Sequence, residues 1–316
     1  MNIDEKNINT LRFLSIDQVN QANSGHPGAP MGAATIAYVL FKKIMKHSPS
    51  NPHFFNRDRF VLSIGHASAL LYSILFLSGY KFKIQDLKEF RQLGSKTPGH
   101  PERNLDLGIE VTTGPLGQGF ANGIGMALSE KLLSEKHNLV DHFIYGMVGD
   151  GDLQEGIASE SASLAGTLGL GKVIYIYDSN GISIDGSNDL AFTENVGDRF
   201  KAYGWHVIKD VDGNNINDLE NSIRKSQEIL NKPSIIIANT TIGFGSPNKA
   251  GSESAHGEPL GKDETILTRK NLNWIYKEFQ VPEEVKEDMI SLVHKGKSIE
   301  DKWNIKLENY KNSNPD

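Results

Sequence analysis

Asp150 stands between two glycines, Gly149 and Gly151, directly after an apolar run from His142 to Val148 that reads as a strand. Flanking glycines let a backbone approach a ligand closely, so this carboxylate is placed at a strand's end and within reach of one. A second apolar run, Val173 to Tyr177, ends at Asp178-Ser179-Asn180-Gly181 and puts Asn180 in a matching position. Asp and Asn offer hard oxygen donors without thiol or imidazole, which suits Mg²⁺ or Ca²⁺ better than zinc or copper. A magnesium ion held by so few protein groups completes its shell with phosphate and water, so the pair predicts a metal-bridged diphosphate. A plain surface turn after a strand remains the other reading of GDG taken alone.

Three histidines lie in turns rich in Gly or Pro. His26 is in SGHPGAPMG (Ser24 to Gly32), His66 is at the strand-to-helix joint Ile64 to Ala69, and His100 is in KTPGHPE (Lys96 to Glu102). Singly, each also reads as an ordinary connection or a tight packing point. Together they predict a polar cleft lined by imidazoles, groups able to donate and accept protons near neutrality. The joint at His66 also offers free N–H groups suited to anions. Thr112 to Gly119 opens a Gly- and Ala-rich run to Leu133. Gly114 to Leu116 there could present backbone groups to a flat heterocycle or simply form a tight turn. The small residues allow close helix contact, within one subunit or across a symmetric interface. A long loop, Ile242 to Gly261, carries His256 near its end, and loops of that length are functional or disordered.

Positioning falls to the elements between. A helix from Glu155 to Leu168 joins the two strands, and in such a βαβ unit both strand ends lie at the ligand-binding edge of a parallel sheet. Helices are predicted at Asn9 to Gln21, Gly32 to Met45, Gln85 to Gln92, Glu194 to Tyr203 and Ile216 to Leu230. Strands are predicted at Arg59 to Ser63, Trp205 to Lys209 and Ser234 to Ala238. The alternation predicts an α/β fold: a mostly parallel sheet with helices on both faces. From Lys262 the pattern is helical, with Trp274, Tyr276 and Phe279 as anchors. Past Lys295 it is charged and linker-like to the end.

Composition sets the outer bounds. The chain of 316 residues with 38% apolar content can bury a sizeable core. A formal charge of -6, from 39 acidic and 33 basic residues spread along the chain, argues against nucleic acid or an anionic membrane as partner. With no cysteine, disulfides, zinc-thiolate sites and cysteine nucleophiles are excluded. No signal peptide and no membrane-spanning run is read, so a cytoplasmic location is expected.

SGHPGAPMG, RDRFVLSIGHAS, KTPGHPE, TTGPLGQG, GDG with EGIASE, YDSNGISIDG, FKAYGWHVI and IGFGSPNKAG with AHGEPLG, taken together, resemble transketolase in family order. The likeness runs from about Leu11 to Gly261 and settles the loops that were ambiguous singly. It points to the family's N-terminal part, the thiamine diphosphate-binding or PP domain, over residues 1–261, followed by a helical extension and linker-like tail over 262–316.

The resemblance implies thiamine diphosphate and Mg²⁺ as cofactors, with Ca²⁺ or Mn²⁺ able to substitute. It implies metal ligation by Asp150, Asn180 and the Ile182 carbonyl, and diphosphate contacts from His66, Gly151, Asn180 and His256. Gly114, Pro115 and Leu116 would lie at the aminopyrimidine, with Ile184 and Ile242 near the thiazolium. His26, His100 and His256 would serve the sugar hydroxyls and the oxygen whose charge changes. The implied reaction moves a two-carbon ketol unit from a ketose phosphate such as xylulose 5-phosphate to an aldose phosphate such as ribose 5-phosphate or erythrose 4-phosphate, with the cofactor ring as electron sink.

One departure is mild: the residue before the metal Asn is often Asn or Asp in the family and is Ser179 here. A larger one is that nothing after Gly261 resembles the family's pyrimidine-binding domain, whose glutamate activates the cofactor. The resemblance therefore implies half of an active site. It fits the N-terminal subunit of a split transketolase, a homodimer within a heterotetramer completed by a C-terminal subunit, or a fragment of a longer chain. The rival readings are an α-subunit-like component of another thiamine diphosphate enzyme and a noncatalytic thiamine diphosphate-binding protein.

Overall fold

The structure, a computed structural model, describes residues 1–314. Along the chain run strands β1 (Arg59–Leu62), β2 (Ile144–Val148), β3 (Val173–Ser179), β4 (Ile182–Ser183), β5 (Gly186–Ser187), β6 (His206–Asp212) and β7 (Ser234–Asn239). The helices are α1 (Ile3–Ala22), α2 (Gly28–Tyr38), α3 (Ser68–Leu77), α4 (Ile84–Lys88), α5 (Gln118–Lys136), α6 (Asp150–Gln154), α7 (Gly156–Leu168), α8 (Val196–Ala202), α9 (Ile216–Gln227), α10 (Lys262–Asn271), α11 (Glu283–Met289) and α12 (Ser291–Ser313).

Five strands form one sheet in the order β1-β2-β3-β7-β6, with every pair parallel, while β4 and β5 make a separate antiparallel hairpin. The expected α/β architecture is thus present. Strand β3 shows why both faces are covered. Its residues alternate, Ile174 and Ile176 entering a core with Leu11, Tyr38, Tyr72 and Ile223, and Tyr175 and Tyr177 entering another with Phe120, Phe200 and Trp205. Helices α1, α2, α3 and α9 therefore cover one face, and α5, α7 and α8 the other.

Glycines in α5 and β2 admit Tyr175. A Cβ at Gly123 or at Gly146 would come 2.0 Å from its hydroxyl or ring, and the hydroxyl donates to the Phe120 carbonyl at 2.7 Å. The close approach at Gly123 is thus made within the chain.

Several boundaries differ from expectation. The GDG turn is already helical, because α6 begins at Asp150, one residue after Gly149, and α7 follows from Gly156. Helix α2 starts at Gly28, four residues earlier than expected, so the loop that holds His26 is short. The first helix likewise begins at Ile3, where Asn2 and Glu5 form a capping box.

The linker-like expectation past Lys295 is overturned as far as Ser313, where α12 is continuous helix. A few anchors suffice despite its charged sequence. The Trp303 indole donates to the Leu139 carbonyl at 3.0 Å, Glu300 accepts from Ser48 at 2.9 Å, and a Cβ at Gly296 would meet the His47 carbonyl at 2.4 Å. Pro315 and Asp316 lie outside the described residues. Upstream of α12, Trp274 stacks on Phe13 at 5.3 Å and Arg269 pairs with buried Asp17 at 2.7 Å, tying the extension to α1. Among the described residues no helix is long and apolar enough to cross a membrane.

Candidate active site

A cavity of about 640 Å³ opens at the C-terminal edge of the sheet, bordered by Ile64 after β1, Gly149 after β2 and Asn180 after β3. Parallel strands end there together, which is where open α/β sheets bind ligands.

The carboxylate of Asp152, fully buried, fixes this edge. It accepts from the Gly117 N–H and the Ser63 hydroxyl, each at 2.7 Å, and from the Gly149 N–H at 3.2 Å. Three loops are thereby tied to one side chain: the end of β1, the start of α5 and the GDG turn. Ser63 Oγ in turn accepts from the Phe120 N–H at 3.0 Å. Burial pushes the Asp152 carboxyl up, and these donors oppose that push.

Beside it Asp150, also buried, accepts a hydrogen bond from the Tyr177 hydroxyl. Burial raises its carboxyl, while Tyr177 and then the Asn188 amide lower it. Asn180 donates from Nδ2 to Asp178 at 3.2 Å and accepts at Oδ1 from the Ile182 N–H at 3.0 Å. Asp178 accepts from the Thr240 hydroxyl, and burial, with Asp150 adding, pushes it up to about 6.

The chemistry of this end fits a divalent cation. Two buried carboxylates, Asp150 and Asp178, have no Lys, Arg or His paired with them among the described residues. The side-chain oxygen of Asn188, which lines the same cavity, is buried with no hydrogen-bond partner. Hard oxygen atoms short of positive charge are what Mg²⁺ or Ca²⁺ complements. Among the described residues no group of three or more His, Asp or Glu side chains could hold a metal unaided.

At the other end four imidazoles converge. The His26 ring lies 5.2 Å from His66, 5.6 Å from His256 and 6.4 Å from His100, and His66 lies 5.3 Å from His256. Helix α2 and the 242–261 loop hold two of them together. The Gly243 N–H donates to the Gly28 carbonyl at 3.0 Å, and a Cβ at Gly28 would meet the Ala255 carbonyl at 2.5 Å. Burial lowers all four imidazoles. His26, to which His256, Arg91 and His100 add, falls to about 4, and His66, packed round by protein but open to the cavity, to about 3. All are therefore neutral near pH 7, each with one N–H to donate and one nitrogen to accept.

The cavity brings together Asp150, Asn180 and Ile182 with His26, His66, His100 and His256. Gly114, Leu116 and Gly151 line it too, as do Ile184 and Ile242. Pro115 is not among its lining residues. Sequence reasoning missed Asp152, Asp178, Asn188 and Arg91. The second acid of Gly149-Asp150-Gly151-Asp152 and the acid two residues before Asn180 were visible signals, whereas Asn188 and Arg91 reach the site only through the fold.

Comparison with known proteins identifies the family. The family profile described as "Transketolase, thiamine diphosphate binding domain" matches residues 3–316. A transketolase of Buchnera aphidicola is 54% identical over 97% of this chain and 47% of its own length, and one of Bacillus subtilis is 53% identical over 99% and 48%. The crystal structure of a Pichia stipitis transketolase in complex with sedoheptulose 7-phosphate superposes with a TM-score of 0.96 at 45% identity, over 99% of this chain and 47% of that one. The chain spans about half the length of the curated relatives it matches. An imidazole-lined cavity with oxygen donors at its sheet edge, on a chain matched almost end to end, places this protein in the transketolase family as its thiamine diphosphate-binding part.

Proposed function

We propose that this chain binds thiamine diphosphate and a divalent ion, Mg²⁺ or in its place Ca²⁺ or Mn²⁺, and supplies one half of a transketolase active site. The observation that carries the reading is the single cavity in which Asp150, Asn180 and Ile182 meet four neutral histidines. Asp150, Asn180 and the Ile182 carbonyl hold the ion. His66, Gly151, Asn180 and His256 face the diphosphate. Gly114 and Leu116 border the aminopyrimidine, with Ile184 and Ile242 as apolar contacts for the thiazolium. When bound, the ring supplies an electron sink for the carbon–carbon bond that breaks beside the ketose carbonyl, and the ion neutralises the diphosphate.

His26, His100 and His256 orient the sugar hydroxyls and move protons at the oxygen whose charge changes. Neutral imidazoles suit that work, because each can donate at one nitrogen and accept at the other. The substrates on this reading are a ketose phosphate such as xylulose 5-phosphate and an aldose phosphate such as ribose 5-phosphate or erythrose 4-phosphate. Support comes from the sedoheptulose 7-phosphate complex of the Pichia stipitis relative. Residues 1–261 form the diphosphate-binding domain, and 262–316 a C-terminal extension that is largely helical as far as Ser313.

The pyrimidine-binding half comes from a C-terminal partner, in a cytoplasmic heterotetramer built on a homodimer of this chain. The curated relatives are about twice as long, which fits a second half carried by a partner or by a continuation of the same chain. The test is reconstitution. The purified chain alone shows no ketol transfer between xylulose 5-phosphate and ribose 5-phosphate and gains it when the C-terminal half is added. Transfer by the isolated chain would refute the half-site reading.

A further inference from the structure

Arg91 sits in a left-handed backbone conformation, φ 61, which non-glycine residues seldom adopt. Its main-chain N–H donates to the Thr97 carbonyl at 2.9 Å, and its guanidinium is laid between two histidine loops. One terminal nitrogen donates to the Ser24 hydroxyl at 2.9 Å, and the other lies 3.3 Å from His26 Nδ1. The guanidinium also runs against Gly99, where a Cβ would come 3.1 Å from Nε, just before His100. A guanidinium has donors only, so the Nδ1 it faces must accept.

We infer that Arg91 is a positioning residue that sets the tautomer of His26, holding Nδ1 as acceptor and leaving the ring proton on Nε2. The Nε2 edge looks toward Gly257, which lines the cavity: a Cβ at 257 would stand 3.6 Å from it. His26 therefore presents a hydrogen-bond donor to the cavity. Around it stand the imidazoles of His66, His100 and His256 and the Arg91 guanidinium, and no carboxylate is among the charges acting on it. Burial first, then His256, Arg91 and His100, lower the ring's affinity for a second proton and keep it neutral, and Arg91 is the one among these neighbours that can only donate.

Only the target of the donor, an oxygen of the bound sugar, rests on the proposed function. The tautomer itself is measured without cofactor or partner, so its failure and the failure of the ketol-transfer reading are separable. The experiment is ¹⁵N–¹H correlation of the imidazole rings in the chain as purified, with His26 assigned by loss of its signals in His26→Gln. Wild type should show an unprotonated Nδ1 and a protonated Nε2 at pH 7. Arg91→Met should spread the proton over both nitrogens and raise the titration midpoint, while the His66 and His256 signals report an intact cleft. Arg91→Lys, which keeps a cationic donor, should preserve the wild-type pattern. A proton on Nδ1 in wild type, or a His26 spectrum unchanged in Arg91→Met, overturns the inference. A proton on Nδ1 in wild type is decisive by itself, so a variant that failed to fold would still leave the inference open to refutation.

Discussion

At one end of the cavity Asp150 and Asp178 are carboxylates that burial pushes toward the neutral acid, Asp178 up to about 6. At the other end His26 and His66 are imidazoles that burial pushes toward the neutral base, to about 4 and about 3. Desolvation acts alike on both, disfavouring whichever form is charged, but its consequences differ. For the carboxylates burial opposes the negative charge that an ion ligand needs, and a bound cation would offset that cost. The imidazoles gain the neutral state that proton traffic needs, so that end is ready as folded. On the proposed reading one end binds and the other works on what is bound.

Substitutions should separate the two ends. His26→Ala, in the chain reconstituted with its C-terminal half, should slow turnover by about 10²- to 10⁴-fold while thiamine diphosphate affinity stays within about two-fold. Steady-state kinetics beside calorimetric titration would show this, and an unchanged rate would remove His26 from the mechanism. Asp150→Ala should do the opposite, weakening metal-dependent thiamine diphosphate binding by at least about 100-fold with circular dichroism unchanged. Equal affinity in the variant would rule Asp150 out as a ligand.

A buried carboxylate away from the cavity checks the shared cause. Asp58 accepts from the Lys46 and Phe143 N–H groups at 2.7 and 2.8 Å, and burial still pushes it from the ordinary 3.8 to about 6. The folded chain then holds this proton more tightly than the unfolded chain. The stability it contributes is present below the unfolded value and lost as pH rises through the folded one. Urea midpoints measured from about pH 4 to about pH 6 should therefore carry a falling component worth about 1–3 kcal/mol that Asp58→Asn removes. An unaltered pH slope would show that burial is not the cause. The smallest effect is expected at Asn188, whose orphaned oxygen makes no bond within the protein. Asn188→Leu should weaken ion binding about tenfold and leave His26-dependent turnover at saturating ion unchanged. Unchanged ion affinity would take Asn188 out of the cation end.

What could be read from the sequence was whatever residue type and local spacing determine. Asp150 and Asn180 were legible because each follows an apolar run, and a strand end in a βαβ unit has one place to be. The histidines were legible as a set because Gly and Pro brace the loops around them. Arg91 was not, since its role needs a left-handed backbone and contact between loops that only the tertiary fold brings together. Asn188 likewise reaches Asp150 only through the turn after the β4–β5 hairpin. Helix α12 hid behind its composition: with Leu292 and Gly296 as its buried residues, it has almost no apolar stripe to announce it.

The most direct test is an anomalous difference map from crystals of this chain grown with Mn²⁺ and thiamine diphosphate. The ion should appear between the Asp150 carboxylate and the Asn180 side-chain oxygen, with the Ile182 carbonyl as a further ligand. A Mn²⁺ peak elsewhere, with those three groups uncoordinated and the cofactor bound, would contradict the assignment of this sheet edge as the metal and diphosphate site.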